Sequence, residues 1–301
     1  MSVNFQTGSK GTTEERKAIT GARQVLFEAR ERRVRPGRDE KVVTSWNGLM
    51  LAAFAEAARA LERKDYLAVA QHNADFLLRE LHDIDGHLWH VWNAEEAKVT
   101  GLLEDYASLI EGLLALYQAD FDPRWYRAAK ELADVMLESF SAETGFYDTA
   151  EGAEVLLLRP REVQDNAVPS GNAMAATVLL KLARLRGEAH YDDVARRSLA
   201  SMQGLMGQHP LAFGQWLVAL DSALATPVEV AVIGEAGAED TQTLLAVAQQ
   251  GYHPHRLIAA GTGNVPSLLA HREKVGDKAT AYVCHGQTCH PPVTDPGKLA
   301  L

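Results

Sequence analysis

The chain has 301 residues, enough for one large single-core domain or a domain with an appendage. Its formal net charge of −10 argues against nucleic acid or an anionic membrane as a partner, since either requires a cationic face. At 47% hydrophobic and 23% charged residues it reads as a folded globular chain, and no apolar run reaches the roughly 18–20 residues that span a bilayer.

The opening MSVNFQTGSKGTTEERK lacks the apolar core of a signal peptide, and two cysteines cannot build a disulfide framework. A cytoplasmic location is the resulting expectation. A first helix is expected over 13–33, with Thr12 or Thr13 as N-cap, Glu14 and Glu15 in its first turn, and Pro36 and Gly37 ending the region. Arg32, Arg33, Arg35 and Arg38 form a basic run that reads as a solvated face.

Beyond it two kinds of helix alternate. WNGLMLAAFAEAARAL from Trp46, EDYASLIEGLLALYQA from Glu104 and SGNAMAATVLLKLARL from Ser170 are apolar nearly all round, as buried helices are. DYLAVAQHNADFLLREL from Asp65, RWYRAAKELADVMLESF from Arg124 and HYDDVARRSLASMQGLM from His190 each place a tyrosine near the start, and each keeps one charged face. The tyrosines, Tyr66, Tyr126 and Tyr191, recur about every 60–65 residues, one helical hairpin per repeat. FGQWLVALDSAL from Phe213 reads as a fourth inner helix. Between hairpins, DIDGHLWHVWNAEEAKVTG and SAETGFYDTAEGAEVLLLRP suggest short β-ribbons at Gly turns. After Pro227, VEVAVIG, EDTQTLLAVAQQ, RLIAAG and TAYVCHG give strand, helix, strand and strand, with a parallel first pair expected from the β–helix–β order. The fold expected is mainly α: a partial (α/α)6 toroid over residues 1–226 and a small α/β appendage over 227–301.

Polar clusters precede or open each buried helix: DEKVVTSWNG, GLLEDYA and QDNAVPSGN. A helix N-terminus offers unsatisfied N–H groups and partial positive charge, which favour carboxylates and polar ligands. If the buried helices run parallel, Asp39, Trp46, Asn47, Glu104, Asp105, Tyr106, Asp165, Ser170 and Asn172 converge on one rim. The competing reading is N-capping, with Ser45, Asp105 and Ser170 where caps are wanted. Carboxylates beside aromatic faces (Trp46, Trp89, Trp92, Tyr106, Phe213, Trp216) suit a carbohydrate, and Glu104, Asp105 and Asp165 could run acid/base chemistry. His87 and His90 are expected on one face of the first ribbon, where they could shuttle protons or sit in solvent. VAVIGEAGAED lacks G-x-G-x-x-G and G-K-[ST], so no nucleotide cofactor is expected. CHGQTCH has a C-x4-C spacing at the edge of zinc usage, so no metal is expected. Cys284 and Cys289 read as ordinary cysteines, with a redox pair as the alternative.

RERRVRPGRDEKVVTSWNGLM, GLLEDYASLIEGLLALYQADFD, DNAVPSGNAMAA, HPLAFGQWLVALD and AYVCHGQTCHPPVTDP, in this order, resemble the C-terminal part of the thioredoxin-domain-containing or spermatogenesis-associated family. The resemblance implies a six-hairpin, glycosidase-like toroid related to N-acylglucosamine 2-epimerases. It places Asp39, Lys41, Trp46, Asn47, Asp105, Tyr106, Asp165, Pro169, Ser170, Gly171 and Asn172 on family motifs, and it implies a more basic residue where His90 stands. The family's thioredoxin-like domain has no counterpart here, so thioredoxin-type activity is not implied. About three and a half repeats stand where six hairpins are expected. Two functions follow as expectations. One is a toroid that binds or processes a sugar-like small molecule. The other is a non-catalytic scaffold whose exposed inner surface finds a second copy or a separate N-terminal polypeptide.

Overall fold

A computed structural model describes residues 12–153, 158–286 and 288–299. It divides into two compact units, one ending at Glu40 and one beginning at Lys41. In the first, α1 (Thr13–Glu31) opens with a reciprocal capping box: Glu15 N–H donates to Thr12 Oγ1 (3.2 Å), and Thr12 N–H donates to Glu15 Oε2 (2.7 Å). The helix ends two residues before the expected boundary and has no buried residue.

The second unit is built on hairpins. In chain order they pair α2 (Thr44–Ala60) with α3 (Lys64–Glu80), α4 (Leu103–Asp120) with α5 (Pro123–Phe140), and α6 (Gly171–Arg186) with α7 (Ala189–Gln208). A further helix, α8 (Gly214–Leu224), follows. The Ala/Leu-rich helices also pack on one another, α2 on α4, α4 on α6 and α6 on α8, and so form the inner row of a partial α/α toroid. Burial explains the two helix types. α4 buries Leu103, Ala107, Leu109, Ile110, Leu113, Leu114 and Leu116 around its circumference. α5 buries only one stripe, including Trp125, Ala129, Leu132, Met136 and Phe140.

Small residues bring the inner row close. A methyl on Gly48 of α2 would stand 2.5 Å from the Ser108 carbonyl carbon of α4. One on Gly112 of α4 would stand 2.7 Å from the Gly48 oxygen. Of the repeating tyrosines, Tyr126 and Tyr191 are buried, and Tyr191 donates to Asp134 of α5. Tyr66 is half-buried beneath the Arg63 guanidinium, 4.2 Å from its ring centroid.

The first expected ribbon is present. β2 (Trp89–Asn93) pairs antiparallel with β3 (Glu96–Thr100), and β1 (Val42–Val43) joins its other edge. The second is not formed as strands among the described residues. Ser141 and Phe146 make one isolated bridge, the following chain is irregular, and residues 154–157 lie outside the described residues. Its aromatic and Gly signals belong to a tight connection, in which Gly145 takes a positive φ of 78°.

After Pro227 the sheet order is β5–β4–β6–β7, from β4 (Val228–Ile233), β5 (Arg256–Gly261), β6 (Thr280–His285) and β7 (Thr288–Cys289). β4 and β5 are parallel, as their connection through α9 (Glu239–Ala248) requires, while β6 runs antiparallel to β4. The sheet's apolar residues continue the helical core. Gln118 of α4 accepts from Ile258 N–H at 3.1 Å, and its carbonyl accepts from Gln249 Nε2, also at 3.1 Å.

Candidate functional site

Two side-chain links and one close backbone approach show that the inner helices share one direction and bring their N-termini to one rim. Asp105, in the first turn of α4, reaches back through Oδ2 to Leu102 N–H (2.8 Å) and across through Oδ1 to Ser45 N–H in the first turn of α2 (2.9 Å). Gly171, the first residue of α6, lies so near α4 that a Cβ there would be 3.0 Å from Glu104 N. Asp165 accepts from Ser170 N–H at the start of α6 (2.9 Å) and from Gln215 N–H in the first turn of α8 (2.8 Å). Each carboxylate therefore satisfies orphan N–H groups on two helices.

His90 of β2 completes the Asp105 environment. Its Nδ1 lies 2.9 Å from Asp105 Oδ2, and Asp105 is fully buried. Glu104, one residue earlier on α4, is half-buried and takes a long contact from Ser45 Oγ (3.5 Å). His90, Glu104 and Asp105 each place one ligand-type atom within 4.8 Å of the others. Asp105 already accepts three hydrogen bonds, one at Oδ1 and two at Oδ2, which leaves it a single lone-pair site on Oδ1. The cluster is built as a hydrogen-bond network.

The electrostatics follow from this packing. The hydrogen bond to Asp105 raises His90 above the ordinary histidine range, against the opposing effect of burial. Burial raises Glu104 above the usual carboxylate range, and the neighbouring Asp105 charge adds to the shift. Both groups thus hold their protons to higher pH than they would in water. With Nδ1 donating to Asp105, Nε2 is the imidazole atom left to take or give a proton. Asp148, in the connection after α5, is also raised by burial; it accepts from Glu162 N–H at 2.7 Å. Sequence reading passed over Asp148, whose only signal was its place beside the Gly–aromatic turn.

The other rim residues divide by where their polar atoms go. Ser170 is the α6 N-cap, accepting from Ala173 N–H at 3.2 Å. Asn172 is buried and ties two loops, accepting from Phe146 N–H (2.9 Å) and donating to the Glu162 carbonyl (3.2 Å). Asn47 faces the outer layer, donating to the Val43 carbonyl at 2.8 Å and accepting from Asn73 of α3 at 3.2 Å. Tyr106 is buried and accepts from Leu88 N–H at 2.9 Å; its phenol is pushed up to about 12 by burial. Lys41 is exposed, and Asp39 is exposed in the other unit. The expected capping by Ser45 is reversed: Ser45 lies inside α2 and receives its cap from Asp105.

Two expectations need correction. The aromatic wall reduces largely to Trp46, 63% exposed, and to Trp89, half-buried in β2. Trp216 and Phe213 are buried, Trp216 donating to the Val163 carbonyl (2.8 Å), and Trp92 packs edge-on against Phe76. Their apolar area fills the core. His87 and His90 also do not act together. Residues three apart in an extended chain face opposite sides, and His87 instead lies near Asp83 in the preceding turn (3.7 Å). Three cavities of about 520, 450 and 290 Å3 lie along the outer helices, and the rim residues line none of them.

No protein-family model matches the chain. It is 30% identical over 303 residues to human spermatogenesis-associated protein 20, an alignment covering 94% of this chain and 38% of the relative. The rat protein of the same name is 31% identical over 293 residues, covering 91% and 37%. An uncharacterised Caenorhabditis elegans protein is 27% identical over 297 residues, covering 93% and 40%. Among solved structures, cellobiose 2-epimerase from Spirochaeta thermophila gives a TM-score of 0.45 at 16% identity, covering 54% of this chain and 43% of that one. The GH76 α-mannanase BT2949 of Bacteroides thetaiotaomicron gives 0.45 at 17% identity, covering 56% and 47%. At these scores the likeness identifies neither a reaction nor a substrate. Across nearly all of its own length this chain is homologous to spermatogenesis-associated protein 20, and it spans about two fifths of those relatives' length.

Proposed function

We propose that the rim at the inner-helix N-termini binds a polyhydroxylated, sugar-like molecule, with His90 and Glu104 as its proton-exchanging pair. The observation that carries the reading is the Asp105 bracket: a buried carboxylate fixes His90 beside Glu104, both with raised pKa, near a tryptophan left 63% exposed. In this reading Asp105 is a positioning residue, because its oxygens are occupied by Ser45, Leu102 and His90. Trp46 supplies the apolar face on which a sugar ring stacks, and Glu104 and His90 meet the hydroxyl to be protonated or deprotonated. Asp165 belongs with the scaffold.

Calorimetric and thermal-shift titration against a panel of neutral mono- and oligosaccharides tests this. Saturable binding of at least one sugar is expected, weakened about tenfold or more in Trp46→Ala and in Glu104→Gln, as loss of a stacking or hydrogen-bonding contact implies. Absence of saturable binding across the panel would remove the sugar reading.

A second reading, a non-catalytic scaffold, is favoured by one observation. Asp165, Ser170, Asn172 and Tyr106 all direct polar atoms to backbone groups. It separates from the first by experiment: Asp165→Asn should lower stability and leave sugar affinity alone, whereas Glu104→Gln should do the reverse.

A further inference from the structure

Cys284 and Cys289 are the only two cysteines of the chain, and the structure joins them by a disulfide across the β6–β7 hairpin. They are therefore not the ordinary cysteines expected from sequence, and the paired alternative is the one the disulfide fits. Their surroundings differ sharply. Cys284 is 2% exposed, paired in register with Glu229 of β4, whereas Cys289 is exposed on the edge strand. Arg272 Nη2 lies 3.7 Å from Cys284 Sγ. The guanidinium is held there, since Nη1 donates to the Leu268 carbonyl and its carbon lies 5.7 Å from the centroid of the Tyr282 ring.

This asymmetry matters chemically. Thiol–disulfide exchange proceeds by attack on the accessible sulfur, and it is faster when the departing thiolate is stabilised. A guanidinium beside a sulfur favours the thiolate, and burial without one disfavours it. We propose that this hairpin is a thiol–disulfide exchange site, in which a thiol-bearing substrate attacks Cys289 and Cys284 departs as a thiolate paired with Arg272. In the first step the attacking thiolate forms an S–S bond to Cys289 Sγ. The Cys284–Cys289 bond breaks, and its electron pair stays on Cys284. In the second, another thiolate, from the same dithiol or a second molecule, attacks the substrate sulfur of the mixed disulfide and releases Cys289 as a thiolate. Two substrate thiols lose two electrons and two protons and become a disulfide. Cys284 and Cys289 gain both and become thiols. A low-molecular-weight disulfide reverses the sequence and restores the bond.

The test uses the full chain, with dithiothreitol as reductant and oxidised glutathione as oxidant, followed by quenched alkylation and mass spectrometry. The disulfide is expected to cycle between both states without unfolding, as circular dichroism would report. Arg272→Gln is expected to slow reduction by about three- to tenfold at fixed pH, and Arg272→Lys to recover most of the rate. In Cys284→Ser, oxidised glutathione should label Cys289 rapidly, while Cys284 in folded Cys289→Ser should resist labelling. Equal reduction rates for wild type and a folded Arg272→Gln would overturn the proposal. So would labelling of Cys284 as fast as Cys289, a comparison that decides the matter even where the arginine variant does not fold.

Discussion

Asp105 is where the largest single-residue effect is expected. Its removal leaves two backbone N–H groups, Ser45 and Leu102, and the His90 ring without their acceptor in a buried place. Asp105→Ala should cost about 3–5 kcal/mol in chemical denaturation, the range for orphaned buried donors and a broken buried charge pair. Glu104→Gln should be neutral or stabilising at pH 7, because it removes a carboxyl whose charge is disfavoured by burial and by Asp105. His90 supplies a pH signature. Its raised pKa means that pairing with Asp105 stabilises fully below histidine's ordinary 6.5 and is lost as pH rises through the raised midpoint. The stability advantage of wild type over His90→Gln should therefore be larger at about pH 6 than at about pH 9, as denaturation at the two pH values would show. An equal difference at both would mean that the pair is not coupled to folding.

At the scale of elements, the inner row depends on small residues where α2 crosses α4. Gly48→Ala must push a methyl into the Ser108–Leu109 backbone, at 2.5 to 2.6 Å, and backbone cannot swing aside. A loss of about 1–3 kcal/mol is expected from such overpacking. Gly204→Ala in α7 meets nothing within 4 Å and should instead stabilise by about 0.5–1 kcal/mol, as Ala does within an exposed helix. Comparing the two melting temperatures checks the crossing.

This layer was largely legible in the sequence. An all-round apolar stretch can only be buried, and a one-sided stretch can only be an outer helix. The place of the rim was legible too, because polar clusters recur at the inner-helix starts. The job of each polar side chain was not. Asp105 caps α2 across 60 residues of sequence, and Asp165 caps α8 across 50. Nothing in either local pattern marks the recipient. Likewise Trp216 looks the same on paper as Trp46, yet one is core and the other 63% exposed, a difference set by tertiary neighbours.

For the 41–299 unit as a whole, the inner row has open ends. α4 and α6 each pack between two inner helices, but α2 packs against one. Its outer flank carries Met50, 56% exposed, and Leu61, 63% exposed, on one stripe. Exposed apolar stripes of this kind tend to be covered, and under the scaffold reading we propose a second copy as the cover. Sedimentation at micromolar concentration should give a dimer for wild type and a monomer for Met50→Glu. A monomeric wild type at tens of micromolar would contradict this. The central claim concerns the rim itself, that Asp105 holds His90 as a working proton carrier beside Glu104. Nitrogen NMR of the His90 imidazole across pH measures it most directly. The expected result is an Nδ1–H tautomer with a midpoint above histidine's ordinary 6.5, falling when Asp105 is replaced by Asn. A midpoint at or below 6.5 that Asp105→Asn leaves unmoved would contradict it.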